Sequence, residues 1–191
     1  MRRSAAFVFL FFFSAILPAA AADWLQQDAA YSAMRTMRAA GQEVSGPLHH
    51  DNGKERFELT VDGQRQVMIR RPDVRRLYMI MPDMGMGMEM SLDAPQAMPS
   101  ADDYAELKPE KLGEETLNGE AVTKYRIEGN SGGQEGTVLI WVTDDGIPLR
   151  MEGRTPEGSF EMVMSDLRRG PQPAGLFEPP AGIQMMAMPG Q

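Results

Sequence analysis

Six methionines fall within twelve residues, in the stretch MIMPDMGMGMEM at positions 79–90. Thioethers are soft ligands, and three or four of them converging on one point suit Cu(I) or Ag(I). Alternate residues of an extended chain share a face. The candidate metal ligands that share a face in this way are Met84, Met86, Met88 and Met90.

The spacing of a regular strand argues against one ion being held by all four of these sulfurs. Successive side chains on one face of a strand stand about 7 Å apart, so the backbone must bend before the thioethers converge. Gly85 and Gly87 lack side chains and permit such a bend. A Cu(I) site is therefore an alternative that the sequence leaves open.

Methionine also serves as flexible apolar filler, because its unbranched side chain adapts to irregular cavities and to varied ligands. The methionines are spread along the whole chain, which favours an apolar cavity lining over a compact metal site, with plain core packing as a third interpretation. The residues that we expect to line such a cavity are Trp24, Tyr31, Met34, Val67, Ile69, Leu77, Met79, Met81, Ile140 and Met151.

The groups that commonly carry catalysis are scarce in this sequence. It contains no cysteine, and its two histidines, His49 and His50, are adjacent, so on a strand they point to opposite faces and form no joint site. We expect both to be solvated. The sequence has no G-x-S-x-G elbow, H-E-x-x-H helix or phosphate-binding loop. These observations predict a protein that is not an enzyme. They also predict no resident cofactor, with Cu(I) at the methionine-rich segment as the one alternative left open.

Periodicity predicts one helix followed by many strands. Asp23 is a plausible N-cap, and apolar residues at helical spacing up to the stop at Gly41 predict an amphipathic helix over Trp24–Ala40. Alternation and turn residues then predict strands, with tight turns at Asp62-Gly63 and Asn118-Gly119. The predicted strands cover residues 56–61, 65–70, 75–81, 86–92, 112–117, 121–128, 136–143, 147–153 and 159–167.

This order of elements predicts an α+β domain with a curved antiparallel β-sheet that holds the helix on its concave side. A loop over residues 93–101 and a short helix over 102–108 separate the two groups of strands. The tail over residues 170–191 is rich in Met, Pro and Gly.

The N-terminal segment has the layout of a secretory signal peptide. Two arginines precede an apolar run, and small residues lead to an A-x-A site, which predicts cleavage after Ala22. No cysteine follows that site, so we expect a soluble periplasmic protein with a single domain over residues 23–191 and no lipid anchor. Asp and Glu exceed Lys and Arg by 27 to 19, and this acidic balance makes nucleic acid an unsuitable partner.

Several segments resemble a bacterial periplasmic family of uncharacterised function. They are "GKERFELTVDGQRQVMIRRPDVRRLYMIMP", "KLGEETLNGEAVTKYRIEG", "LIWVTDDGIPLRMEG" and "GLFEPPAGIQMM". The chain departs from the family pattern at Ile183, where the family usually has Tyr, and in its richer methionine content. The family is in turn similar to the outer-membrane lipoprotein carriers and their receptors. That resemblance implies a half-open β-barrel with a helical lid and an apolar cavity for acyl chains.

Together, these observations predict a non-enzymatic periplasmic protein that binds or carries an acyl chain, a lipid or another apolar ligand. Two alternatives stay open. One is a periplasmic Cu(I)- or Ag(I)-binding protein that uses the methionine-rich segment at 79–90. The other is a structural or interaction protein of the envelope that meets another protein and has no small ligand.

Overall fold

The computed structural model describes Leu25 and residues 29–39, 41–92, 109–131, 134–155 and 158–187. These residues form one curved, open sheet of twelve strands. The predicted signal peptide, Trp24 and the predicted loop and short helix over residues 93–108 lie outside the described residues. The strands are β1 Tyr31–Ala39, β2 Gln42–Asp51, β3 Lys54–Val61, β4 Gln64–Arg71, β5 Arg76–Met81, β6 Met86–Ser91, β7 Glu110–Leu117, β8 Glu120–Ser131, β9 Gln134–Thr143, β10 Pro148–Thr155, β11 Gly158–Arg169 and β12 Gln184–Ala187.

Two antiparallel meanders, β1 to β6 and β7 to β11, lie side by side in this sheet. The spatial order is β12-β6-β5-β4-β3-β2-β1-β11-β10-β9-β8-β7, so the antiparallel pair of β1 and β11 joins the two meanders. The short strand β12 adds to β6 in parallel. Among the described residues, no helix is long and apolar enough to cross a membrane.

Tight turns hold several neighbouring strands in register. The predicted turns Asp62-Gly63 and Asn118-Gly119 are confirmed, and both residues of each have positive φ. That backbone twist matches the twist of the flanking strands, which is why Asn-Gly and Asp-Gly are favoured there. Asn52-Gly53 forms a third turn of the same kind between β2 and β3.

Two short 3-10 turns of matching design connect β4, β5 and β6. They cover Pro72–Val74 and Pro82–Met84. Each begins at a proline and ends at a residue in the left-handed region, Arg75 or Gly85, whose N–H donates to the proline carbonyl. Proline fixes the φ angle of the first turn residue and thereby favours this tight conformation.

The helix predicted over Trp24–Ala40 is wrong in its described part, because Tyr31–Ala39 is strand β1. Tyr31, Ala33 and Arg35 are buried and alternate with less buried neighbours, as a strand requires. Apolar residues at positions 31, 34 and 37 fit a helical spacing equally well. The buried parity of β1 includes the charged Arg35, and the apolar Met34 lies at the other parity, so the alternation is hard to see in the sequence.

The structure has two buried apolar clusters, and the second lies on the face of the sheet opposite to Leu48 and Phe57 of the main cluster. The main cluster contains Leu48, Phe57, Ile140, Met151 and Met164 among others, together with Leu25 from the N-terminal segment. The second cluster contains Val67, Ile69, Ile80 and Phe177. Both faces of β4 and β5 are therefore apolar.

The second cluster is closed by residues 171–187, referred to below as the C-terminal strap. Phe177, at the end of a 3-10 turn over Ala174–Phe177, is only 2% exposed. Arg56 donates to the Leu176 carbonyl at 3.0 Å, and Arg71 donates to the Phe177 carbonyl at 3.2 Å. The strap then ends in β12, which extends the sheet beyond β6.

Candidate functional site on the inner face of the sheet

Strand register identifies one apolar face, referred to below as the inner face. Leu48 is paired with Ala33 on one side and with Phe57 on the other, and directly paired residues point to the same side of a sheet. The same reasoning places Ile140 and Met151 together on this side. The residues of the main cluster that lie on the central strands therefore define the inner face.

The outer face of β1, β2, β10 and β11 carries a network of paired charges. Arg38 donates to Glu43 at 2.6 Å and to Glu161 at 2.9 Å, and Arg150 donates to Glu161 at 2.9 Å. The cations of Lys124 and Arg150 also lie over the ring of Trp141, at 4.4 and 5.2 Å from its centroid. These charges lie on the side of the sheet opposite to Ile140 and Met151, because Trp141 pairs in register with Arg150 and Lys124 and adjacent strand residues point to opposite faces.

Six methionines continue the inner face across β4, β5, β6 and β12. Met68 is paired with Phe57 and Met79, Met79 is paired with Met88, and Met88 is paired with Met186. These paired residues form one row across the strands. Beside it, Met81 is paired with Met86 in a second row. Together these residues, Met68, Met79, Met81, Met86, Met88 and Met186, are referred to below as the methionine face.

The methionine face differs from both buried clusters in its exposure. Five of its side chains are only partly buried, and Met186 is 44% exposed. None of the six belongs to either buried cluster. Phe57, which is buried in the main cluster, touches this face through its pair with Met68. An accessible apolar surface therefore continues directly from the core.

A charged cluster borders the methionine face on the same side of the sheet. The guanidinium of Arg35 binds both carboxylate oxygens of Glu55, at 2.7 and 2.6 Å, and it lies 5.3 Å from the Phe57 ring centroid. Glu55 is also paired in register with His50 and Arg70. Burial raises the pKa of Glu55, but the charge and hydrogen bonds of Arg35 outweigh it and hold that pKa below its usual value. Glu55 is therefore an anion at neutral pH.

The two histidines lie on opposite faces, as the sequence predicts, but His50 is buried and His49 is only partly exposed, so the expectation that both are solvated is wrong for His50. His50 is 2% exposed, stacks on Tyr31 with 4.9 Å between ring centroids, and donates from Nδ1 to the Ala29 carbonyl at 2.7 Å. His49 donates from Nδ1 to the Gln172 amide oxygen at 2.8 Å. His50 therefore binds the N-terminal segment to the sheet, and His49 binds the C-terminal strap to it.

A groove of about 1140 Å³ lies at one end of β1, β2, β9, β10 and β11. Its walls include Leu139 and Phe160, but also Arg38, Glu43 and Glu161, which are already paired with one another. Across the described ranges, His, Asp and Glu side chains form no group of three that could hold a metal ion. The methionine face is thus the better candidate site.

The residues predicted to line a cavity divide between the two faces. Tyr31, Leu77, Met79, Met81, Ile140 and Met151 lie on the inner face by register. Met34, Val67 and Ile69 point to the opposite face, so their place in one common lining is corrected. Val67 and Ile69 pack under the C-terminal strap instead. Trp24 lies outside the described residues.

The four predicted metal ligands do not gather in one place. Met84 lies in the second 3-10 turn and is 49% exposed. Met86 and Met88 belong to the methionine face, whereas Met90 is buried beside Leu77. They follow one strand and its preceding turn, so the strand spacing discussed above separates them.

The expected lining residues do not include Met68 and Met186, and sequence reasoning missed the charged cluster. Glu55 and Phe57 share a parity in β3, so alternation alone could have placed Glu55 on the apolar side. Met186 carried no such signal, because β12 comes from a tail rich in Pro and Gly that predicts no strand.

Solved structures share this fold at low sequence identity. An uncharacterized conserved protein from Thermus thermophilus aligns with a TM-score of 0.61 and 12% identity, over 84% of this chain and 91% of that one. A chain of the Pseudomonas aeruginosa MucA/MucB complex aligns with a TM-score of 0.54 and 14% identity, over 87% of this chain and 63% of that one, which is less than two thirds of its length.

A LolA superfamily protein from Nitrosomonas europaea aligns with a lower TM-score of 0.41 and 15% identity, over 80% of this chain and 91% of that one. No curated protein matches the chain. The family model of a domain of unknown function, DUF4412, matches residues 33–146, more than half of the sequence. The resemblance to an uncharacterised family is thereby confirmed, and the chain belongs to the DUF4412 family.

Proposed function

We propose that this protein binds an acyl chain or a similar elongated apolar ligand on the methionine face and acts as a non-enzymatic carrier. The observation that supports this most directly is the face itself, since five of its six side chains are only partly buried and the sixth is exposed. Methionine side chains repack around ligands of different shape. A surface built from them suits a flexible chain better than a rigid ring system.

The charged cluster supports an amphiphilic ligand. The row that contains Glu55, Arg70 and Leu77 runs beside the row that contains Phe57, Met68 and Met79. An acyl chain that lies along the methionines therefore places its polar end near charged groups. Apolar surface with a few fixed polar groups is the usual composition of a small-molecule site.

The proposal is tested by polarity changes that keep the length of the side chain. A variant with Met68→Gln, Met79→Gln and Met88→Gln should bind a fluorescent fatty acid at least about tenfold more weakly, since about 1.4 kcal/mol corresponds to a factor of ten. The matched control is Met34→Gln on the opposite face, which should bind as wild type does. Equal affinities of the triple variant and wild type for the fatty acid would contradict the proposal.

Ligand carried from the cell gives an independent test. Organic extracts of the natively purified protein should contain a lipid or fatty acid in stoichiometric amount, as measured by mass spectrometry. If no lipid is recovered and no fatty acid is taken up, the protein is not an acyl carrier.

The proposed location is the periplasm, with residues 1–22 as the signal peptide. The protein recovered from the periplasmic fraction should begin at Asp23 by N-terminal sequencing. Recovery of an uncleaved chain in the membrane fraction would contradict this part of the proposal.

An envelope protein as partner is the second candidate. The chain that resembles this fold with a TM-score of 0.54 comes from a complex of two proteins, MucA and MucB. If the inner face serves a protein segment instead of a lipid, a complex reconstituted with an envelope protein should weaken in the same triple variant while fatty acid binding is absent in wild type.

A further inference from the structure

Four methionines of the methionine face form a compact block on one β-hairpin. Met79 is paired with Met88, and Met81 is paired with Met86, in the antiparallel pair of β5 and β6. All four side chains point to the inner face. The set Met79, Met81, Met86 and Met88 is referred to below as the four-methionine block.

Cross-strand pairing reduces the distance problem of a single strand, because each sulfur gains one directly opposite partner. Directly opposite residues of an antiparallel pair have Cβ atoms about 4.5–5.5 Å apart, and diagonal neighbours are about 7–8 Å apart. Each methionine has three rotatable bonds beyond its backbone, so its sulfur can lean toward a common centre. A block two residues wide and two long therefore brings thioethers closer together than four alternate residues along one strand.

The turn between the strands creates this block. Pro82–Met84 and the left-handed Gly85 separate Met81 from Met86. Met79 and Met86 have opposite parity in the sequence, and the turn resets the register so that both face inward. The sequence alone does not show how many residues the turn contains, and that number decides which methionines face each other.

We propose that the four-methionine block binds one soft monovalent cation, Cu(I) or Ag(I), through three or four thioethers. The donors are neutral sulfurs, which these d10 ions accept readily. Met68 and Met186 flank the block on either side, in the row of Met79 and Met88.

The charges around the block are balanced in pairs. Arg70 lies on the inner face two residues from Met68 and is opposed in register by Glu55. On the reverse side of the hairpin, Arg76 donates to Glu89 at 2.6 Å. A monovalent ion at the block therefore meets no cation of β5 or β6 on its own face. Thioethers release no proton on binding, so the affinity should stay nearly constant between neutral and mildly acidic pH.

Silver titration with native mass spectrometry tests the site on purified, metal-free and lipid-free protein. Wild type should take up one Ag(I), and Met79→Leu/Met81→Leu should bind it at least about tenfold more weakly because two of four donors are lost. Leucine conserves apolar volume, so the fold should survive. Circular dichroism and thermal melting of the variant confirm this.

The matched control exchanges the two methionines of the segment 79–90 that lie outside the block. Met84→Leu/Met90→Leu should bind Ag(I) as wild type does, and a chromophoric Cu(I) chelator should give the same order of affinities. The site is overturned if wild type binds no ion, if the Met79/Met81 variant binds as tightly as wild type, or if the control loses the ion instead. Fatty acid binding is measured separately with the glutamine variants, so failure of either proposal is seen independently.

Discussion

At the scale of single residues, the Arg35–Glu55 ion pair is the contact whose loss should cost most. Their side chains are only 10% and 15% exposed. Glu55→Gln leaves the guanidinium buried without its countercharge, and breaking such a pair costs about 3–5 kcal/mol of folding stability. Chemical denaturation at neutral pH measures this loss.

The control for this variant is Glu110→Gln, which removes a carboxylate paired with Arg126 at the surface. Exposed ion pairs contribute little, so its denaturation midpoint should hardly move. Similar losses in the two variants would show that burial of the Arg35–Glu55 pair has no special importance.

The same carboxylate should make stability depend on pH. The pKa of Glu55 in the folded protein lies below its usual value of 4.5, chiefly because the favourable Arg35 interactions outweigh burial. The contribution of ionised Glu55 to folding stability is therefore complete above pH 4.5. It declines as the pH falls through the pKa of Glu55 in the folded protein. The stability gap between wild type and Glu55→Gln should shrink on acidification, as denaturation curves at several pH values would reveal. A gap that stays constant down to pH 3 would contradict the assignment.

Residue-level prediction from sequence succeeds where one face of a strand is clearly polar. It fails at β4 and β5, where Val67 and Ile69 on one side and Leu77 and Met79 on the other are all apolar. Alternation separates the two sets but does not say which set faces the core and which lies under the C-terminal strap. That distinction depends on contacts with Phe177, more than a hundred residues away.

At the scale of elements, the C-terminal strap should stabilise the sheet through one anchor. Phe177→Ala leaves a cavity against Val67, Ile69 and Ile80, and such changes cost about 3–5 kcal/mol. Denaturant titration measures the change. Val74→Ala, at a side chain that is 47% exposed, serves as the control and should shift stability by no more than about 0.5 kcal/mol. Equal shifts would mean that the strap is not anchored by Phe177.

Close contact between β2 and β3 gives a second prediction at this scale. A Cβ atom at Gly46 would lie 1.7 Å from the Glu58 carbonyl oxygen, a backbone atom that cannot move aside alone. Gly46→Ala should therefore destabilise the protein by about 3 kcal/mol, the upper end of the usual range for overpacking. Gly175→Ala meets nothing within 4 Å and should be well tolerated. Thermal melting of both variants compares them, and equal melting temperatures would refute the contact.

Gly46 also explains why β2 is hard to predict. The Gly46-Pro47 pair has the appearance of a turn, yet it lies in the middle of a ten-residue strand. The hairpins at Asp62-Gly63 and Asn118-Gly119 are predictable because two residues suffice to specify each. Strand β1 is not predictable, because the spacing of its apolar residues fits a helix and a strand equally well.

At the scale of the whole molecule, the open sheet should show a gradient of protection. β1, β2 and β11 are central, whereas β7 and β12 form the two edges. Amide hydrogen exchange should therefore be slowest in the central strands and fastest in β12, which has four residues and a single neighbour. Mass spectrometry of exchanged peptides measures this, and protection in β7 and β12 equal to that in β1 would contradict the strand order.

The meander architecture is largely predictable from the sequence, since most strands and several turns can be located in it. The pairing of β1 with β11 is not predictable, because the paired residues are more than 120 positions apart and no local signal links them. The packing of the C-terminal strap on the outer face is not predictable either, because the sequence of the strap has no periodicity of its own. Both features depend on long-range contacts, which only the folded chain reveals.

The turn between β5 and β6 contains Pro82, Asp83, Met84 and Gly85, and its length decides which side chains of β6 face inward. Because side chains alternate along a strand, loss of one turn residue with the ladder kept would reverse every residue of β6. Gly87 and Glu89 would then face inward, and Met86 and Met88 would face the strap. A deletion of a single codon would thus replace the sulfurs that β6 presents to the inner face by glycine and carboxylate, without removing a methionine from β6 and with Met79 and Met81 still facing inward. The length of this turn therefore sets the chemistry that β6 gives to the inner face as much as its methionines do.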